Sequence, residues 1–158
     1  MNNTPIEDRK LLYRDLCTRK PYGVKVQLMY ATAFGVTDSM FMPQSLTNYK
    51  LDIMEAWAEG SNVSRLFKPY LFPLSSMTRE QVDEFYETLR PVILDSLQET
   101  YEWKKHQEEH QLSDERPVTL KSIMCETTAT HWMLEHHFDI YGLIPKDLAI
   151  DATGKDIY

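Results

Sequence analysis

The chain has 158 residues, of which 42% are apolar, 26% charged and 11% aromatic. That composition is globular and excludes a disordered or collagen-like chain. A formal net charge of −7 argues against partners that select basic surfaces, such as nucleic acid or anionic lipid.

A chain of this length buries roughly 70% of the surface it exposes unfolded, so it can hold a true core. No apolar run approaches the ~20 residues of a membrane span. The opening residues show no apolar stretch of a secretory signal. The expectation is a cytoplasmic protein without membrane contact. There Cys17 and Cys125 stay reduced. Neither stands in a metal-ligand spacing. Cys17, near Leu12, Tyr13 and Leu16, reads as a small core residue.

Thr4, Pro5, Glu7 and Asp8 mark a helix start, with Thr4 as the cap. Pro21 stops that helix. Arg9, Lys10, Arg14, Arg19 and Lys20 interleave with Glu7, Asp8 and Asp15, which reads as a solvated face laced with ion pairs. Tyr22-Gly23 is a turn. Val24, Val26, Leu28 and Tyr30 alternate with polar residues, which predicts a strand, and Gly35 allows a hairpin return through 36–42. Tyr49, Leu51 and Ile53 alternate again and predict a third strand. Pro69 and Pro73 exclude a central strand over 63–74, leaving a short helical turn and an edge segment.

Thr78 with Gln81 is a capping box that opens a long helix over 78–115, kinked near Pro91. Residues 79–116 carry eleven acidic and five basic side chains. A last helix covers 119–138, and 139–158 is an irregular tail whose Leu143, Ile144, Leu148 and Ile150 dock on the body. The expected fold is α+β in one domain. A small antiparallel sheet or partial barrel over about 22–74 is packed by an N-terminal helix (1–20) and two C-terminal helices.

Three constellations could carry chemistry. His106-Gln107-Glu108-Glu109-His110 matches H-x-x-E-H, which in some zinc proteases sets two ligands on one helical face. Its flanks have almost nothing apolar to wall a cavity, so it reads as a solvated helix end. His131, Glu135, His136 and His137 form the densest set of potential metal ligands, with His131 and Glu135 one turn apart. A helix C-terminus also favours histidine for its dipole, which is the blander reading. Phe67, Tyr70 and Phe72 with Pro69 and Pro73 could receive a peptide or close a small barrel. Met29, Met40, Met42 and Met54 read as core filler. No phosphate loop, dinucleotide fingerprint, nucleophile elbow or calcium loop is present.

Leu11–Gln27 (LLYRDLCTRKPYGVKVQ), Lys68–Gln81 (KPYLFPLSSMTREQ) and His136–Tyr158 (HHFDIYGLIPKDLAIDATGKDIY) together resemble a group of short uncharacterised proteins of gut bacteria and their phages or mobile elements. The resemblance covers roughly a third of the chain. It implies a bacterial or phage accessory protein and carries over no catalytic residue.

The expected function is a non-catalytic interaction module with no cofactor and no catalytic residue. Its partner, a protein of unknown identity, would meet Tyr70, Trp132, His136 and Phe138. One alternative is a small metal-dependent enzyme using His131, Glu135 and His136 or His137, with Asp139 as a further candidate ligand. A weaker alternative is a nucleic-acid-binding small barrel, which fold analogy alone does not license.

Overall fold

A computed structural model describes residues 4–32, 35–38, 42–110 and 120–158, with side chains at 31–41, 95–97 and 99–125 not described. The fold is α+β, with four α-helices and an open, mixed sheet among the described residues. Two compact units divide the chain. One is Met1–Ser76 with Met133–Tyr158, and the other is Met77–Trp132.

Helix α1 spans Ile6–Arg19, with Glu7 and Asp8 in its first turn where the helix dipole favours acids. Pro5 stands at the cap position, and among the described residues no side chain caps the helix. Thr4, the expected cap, instead offers its carbonyl to Arg9 Nε at 2.8 Å. A 3-10 turn over Lys20–Tyr22 ends at Gly23, whose φ of 72° is the left-handed geometry that suits glycine.

Strand β1 (Lys25–Thr32) and strand β2 (Gly35–Asp38) form the expected antiparallel hairpin, with Thr32 opposite Gly35. The short strand β3 (Gln44–Ser45) pairs with the start of β1, Lys25 opposite Ser45. Residues 39–41 of the expected return, Met40 among them, lie outside the described residues.

The third strand expected at Tyr49–Ile53 is instead helix α2, Asn48–Ala58. Its cap is Thr47, whose hydroxyl accepts from Lys50 N at 3.4 Å. Alternation over five residues was the weaker of two patterns. Met54, Trp57 and Ala58 are buried, with Leu51 packed beside them. That spacing is a helical stripe.

The segment expected at the sheet edge is strand β4, Arg65–Leu71, with β1 on one side. On the other side lies the two-residue strand β5, Ile150–Asp151, running parallel to it. The sheet order is β2-β1-β4-β5, so the sheet is mixed and open rather than antiparallel or barrel-like. Pro69 is tolerated inside β4 for a geometric reason. Phe67 N donates to Met54 Sδ and Leu71 O accepts from Ala152 N, so the odd-numbered residues of β4 turn their polar groups away from β1. The missing Pro69 N–H falls in that row, opposite Val26 in the β1 register, and β5 pairing begins only at Tyr70.

The core of this unit joins α1 (Leu12, Leu16), β1 (Val24, Val26, Met29), α2 (Met54, Trp57) and β4 (Leu66, Phe67, Leu71). The tail docks as expected, through Leu143, Leu148 and Ala149. Met29 and Met54 are core residues, whereas Met42 is 83% exposed. Cys17 is exposed and free, contrary to its reading as a core residue. It follows the buried Leu16 by one position and so turns off the apolar face of α1.

In the second unit, helix α3 spans Arg79–His110 without interruption at Pro91. Its capping box is present in full. Thr78 N donates to Gln81 Oε1 at 2.9 Å, and Gln81 N donates to Thr78 Oγ1 at 3.3 Å. Residues 111–119, where the long helix was expected to end, lie outside the described residues. Helix α4 spans Leu120–Glu135, ending three residues before the expected 138. Phe85 of α3 tilts against Trp132 of α4, ring centroids 5.1 Å apart, and Trp132 Nε1 donates to Glu84 Oε1 at 3.3 Å.

Candidate functional site

The densest chemistry in the first unit is a buried cluster where α1 meets the segment after α4. Leu12, Asp15, Leu16 and Arg19 fall at i, i+3, i+4 and i+7, and all four are buried. Asp15 and Arg19 are both 0% exposed. Arg19 Nε lies 2.8 and 2.9 Å from the two oxygens of Asp15, and Nη2 donates to the Phe138 carbonyl at 2.6 Å. This corrects the reading of these two residues as part of a solvated face.

The chain turns sharply at His137, whose φ of 59° is uncommon for a side-chain-bearing residue. His137 N donates to Leu134 O at 3.1 Å and Phe138 N to Met133 O at 2.9 Å, closing the end of α4. Phe72 N then donates to His137 O at 2.9 Å, and Asp139 N donates to Phe72 O at 2.8 Å, so this turn is stitched to the end of β4. The Asp139 carboxylate accepts from Leu143 N at 2.8 Å and Ile144 N at 2.9 Å, which holds the next loop. Tyr158 stacks on the His137 ring at 3.8 Å and 15°. Its hydroxyl donates to the Tyr70 carbonyl at 2.6 Å and accepts from Lys25 N at 3.3 Å.

Burial dominates the electrostatics. It pushes the Asp15 carboxyl up to about 6, outweighing the neighbouring Arg19 guanidinium that pulls it down. Burial, helped by Arg19 and His136, pushes the His137 imidazole down to about 4, so it is neutral at neutral pH. Burial also raises the Tyr158 hydroxyl to about 12. Arg19 Nη1 and His137 Nδ1 are buried and have no hydrogen-bond partner among the described residues.

The residues singled out from sequence are distributed differently from one another. Tyr70, Trp132 and Phe138 are 7%, 4% and 1% exposed, and their rings are core. His136 is half-buried, whereas His131 and Glu135 are exposed. His137 is buried in the cluster just described. Tyr70 Oη donates to Gln27 Oε1 at 2.5 Å, tying β4 to β1. Among the described residues, no three His, Cys, Asp or Glu side chains stand where they could share a metal ion. The side chains of His106, Glu109 and His110 lie outside the described residues.

Sequence reasoning missed Asp15, Arg19 and Tyr158. A signal existed for the first two, because they share the stripe of Leu12 and Leu16. For Tyr158 there was none. Its partners are at Lys25, Tyr70 and His137, and no local pattern announces such contacts.

A second feature of the first unit is open rather than sealed. Tyr49 and Ile53 of α2, with Asn62, Val63, Ser64 and Arg65 leading into β4, line a depression of about 440 Å³. Tyr49 is 65% exposed, and Asn62, Ser64 and Arg65 are exposed. No protein family, curated protein or solved structure matches this chain.

Proposed function

We propose that the chain is a non-catalytic interaction module, whose partner is a protein. One observation carries this reading. The side chains best suited to chemistry hold chain segments together instead. Arg19 joins Asp15 to the Phe138 carbonyl, Asp139 fixes the 143–144 loop, and His137 lies under Tyr158. A reacting group needs a cleft in which substrate meets converging polar atoms. Asp15 and Arg19 are fully enclosed, and His131 and Glu135 stand on open surface.

The test is quantitative crosslinking in native lysate, followed by mass spectrometry of the purified adduct. The expected result is one protein recovered in fixed ratio with this chain. Recovery of self-links only would count against the reading. A zinc or manganese titration saturating at one ion per chain would replace it with the metal-dependent enzyme.

A further inference from the structure

The depression between α2 and the start of β4 differs from the rest of the first unit in what its polar groups do. Several other lysines and arginines of this unit have protein partners. Arg19 holds Asp15, Lys68 reaches Asp147, Lys146 reaches Asp8 and Lys20 reaches Asn48. Arg65 lines the depression and, among the described residues, makes no ion pair or side-chain hydrogen bond. The Asn62 amide and the Ser64 hydroxyl beside it likewise have no hydrogen-bond partner there. An exposed cation, an amide and a hydroxyl therefore edge a hollow of about 440 Å³, whose remaining walls are the Tyr49 ring, Ile53 and Val63. That volume is within the range of small-ligand sites, which pair apolar walls with a few polar groups.

We propose that this hollow binds a carboxylate carried on a small apolar or aromatic body. Arg65 pairs the carboxylate, for which the guanidinium fork is the matched donor. Asn62 and Ser64 supply further donors. Tyr49 and Ile53 cover the apolar part of the ligand, with the phenol ring presented as an exposed wall. A neutral ligand of the same shape leaves Arg65 without its counter-charge and binds more weakly. Asp52 lies on the same turn of α2, outside the lining, and opposes an anion there. The proposal does not rest on the partner reading, because a carboxylate can arrive on a free acid or on an acidic side chain of a peptide.

The experiment is a heteronuclear NMR titration of the full chain with three probes. These are phenylacetate, its neutral counterpart phenylacetamide, and an end-blocked tripeptide with a central glutamate. Shifts confined to Tyr49, Ile53 and Asn62–Arg65 are expected with at least one acidic probe, and about tenfold weaker binding with the amide. Arg65→Gln should weaken the acidic probe by about tenfold or more, Arg65→Lys by less, and Asp52→Asn should tighten it. Tyr49→Ala should weaken phenylacetate. All three substituted positions, Tyr49, Asp52 and Arg65, are exposed, so the fold serves as its own control in the same spectra. Phenylacetate alone would name free acids as the source, and the tripeptide alone would name peptides. Equal binding of acid and amide, shifts outside the hollow, or an unaffected Arg65→Gln would overturn the proposal.

Discussion

Arg19 and Arg65 belong to the same compact unit and meet opposite fates. Arg19 is 0% exposed and is claimed by Asp15 and the Phe138 carbonyl. Arg65 is exposed and unclaimed among the described residues. The contrast separates two uses of charge. A buried guanidinium fixes which segments meet, because leaving it unpaired is costly. An exposed one adds almost nothing to stability and is free to meet something else.

The largest expected effect breaks the buried side of that contrast. Arg19→Ala leaves the Asp15 carboxyl enclosed without its cation and removes the Nη2 donor to the Phe138 carbonyl. A loss of about 3–5 kcal/mol is expected for such a cut, measured by urea unfolding. Replacing both partners, Asp15→Leu with Arg19→Met, should cost clearly less than Arg19→Ala alone. If the single and double variants are equally unstable, the pair is not what the site depends on.

The next effect is a pair of opposed pH slopes. The Asp15 carboxyl is raised from 3.8 to about 6, so its contribution is fully present below pH 3.8 and is lost as pH rises through 6. The His137 imidazole is lowered from 6.5 to about 4, so its contribution is present above pH 6.5 and is lost as pH falls through 4. Each shift is worth on the order of 2–3 kcal/mol, and in the wild-type chain the two largely cancel. Relative to wild type, Asp15→Asn should gain stability as pH rises from 4 to 6.5. His137→Gln should lose stability as pH rises from 4 to 6. Urea midpoints measured across that window check both, and parallel slopes in the two variants would contradict the assignment.

How much of this was legible in the sequence depended on how local the cause was. The α1 helix, the first hairpin and the Thr78–Gln81 box are set by residues within a few positions of one another, and the sequence reveals them. The α2 helix was hidden because Tyr49, Leu51 and Ile53 alternate as well as a strand does. The stripe of Leu51, Met54, Trp57 and Ala58 had to be weighed against them. The central place of β4 was hidden by Pro69, whose harmlessness depends on which way its nitrogen faces. Asp15 and Arg19 have the spacing of any surface ion pair, and only the segment after α4 turns them into core. The hollow beside Arg65 was not legible, since it joins one helix to the turn before a strand that the sequence misassigned.

Smaller effects sharpen the same comparison. Tyr158→Phe keeps the ring on His137 and removes only the hydroxyl that links the Tyr70 carbonyl to Lys25 N. A loss of about 1 kcal/mol is expected by thermal or urea unfolding, and a loss near that of Arg19→Ala would show the tail doing more than closing the sheet. Arg65→Gln should leave stability within about 0.5 kcal/mol of wild type, because that side chain is exposed and unpaired. A larger loss would give Arg65 a structural duty and erase its contrast with Arg19.

The bond from Arg19 to the Phe138 carbonyl joins residues 119 positions apart. A ribosome adding about 5–20 residues per second makes the first of these roughly 6–24 s before the second. Throughout that interval the guanidinium stays hydrated and α1 has no lid. The flank of β4 that faces β5 also waits, since its Leu71 carbonyl accepts from Ala152 N, which is made later still. The emerging chain therefore carries an unfinished sheet for most of its synthesis, with a strand edge open to pairing with other chains until the tail arrives.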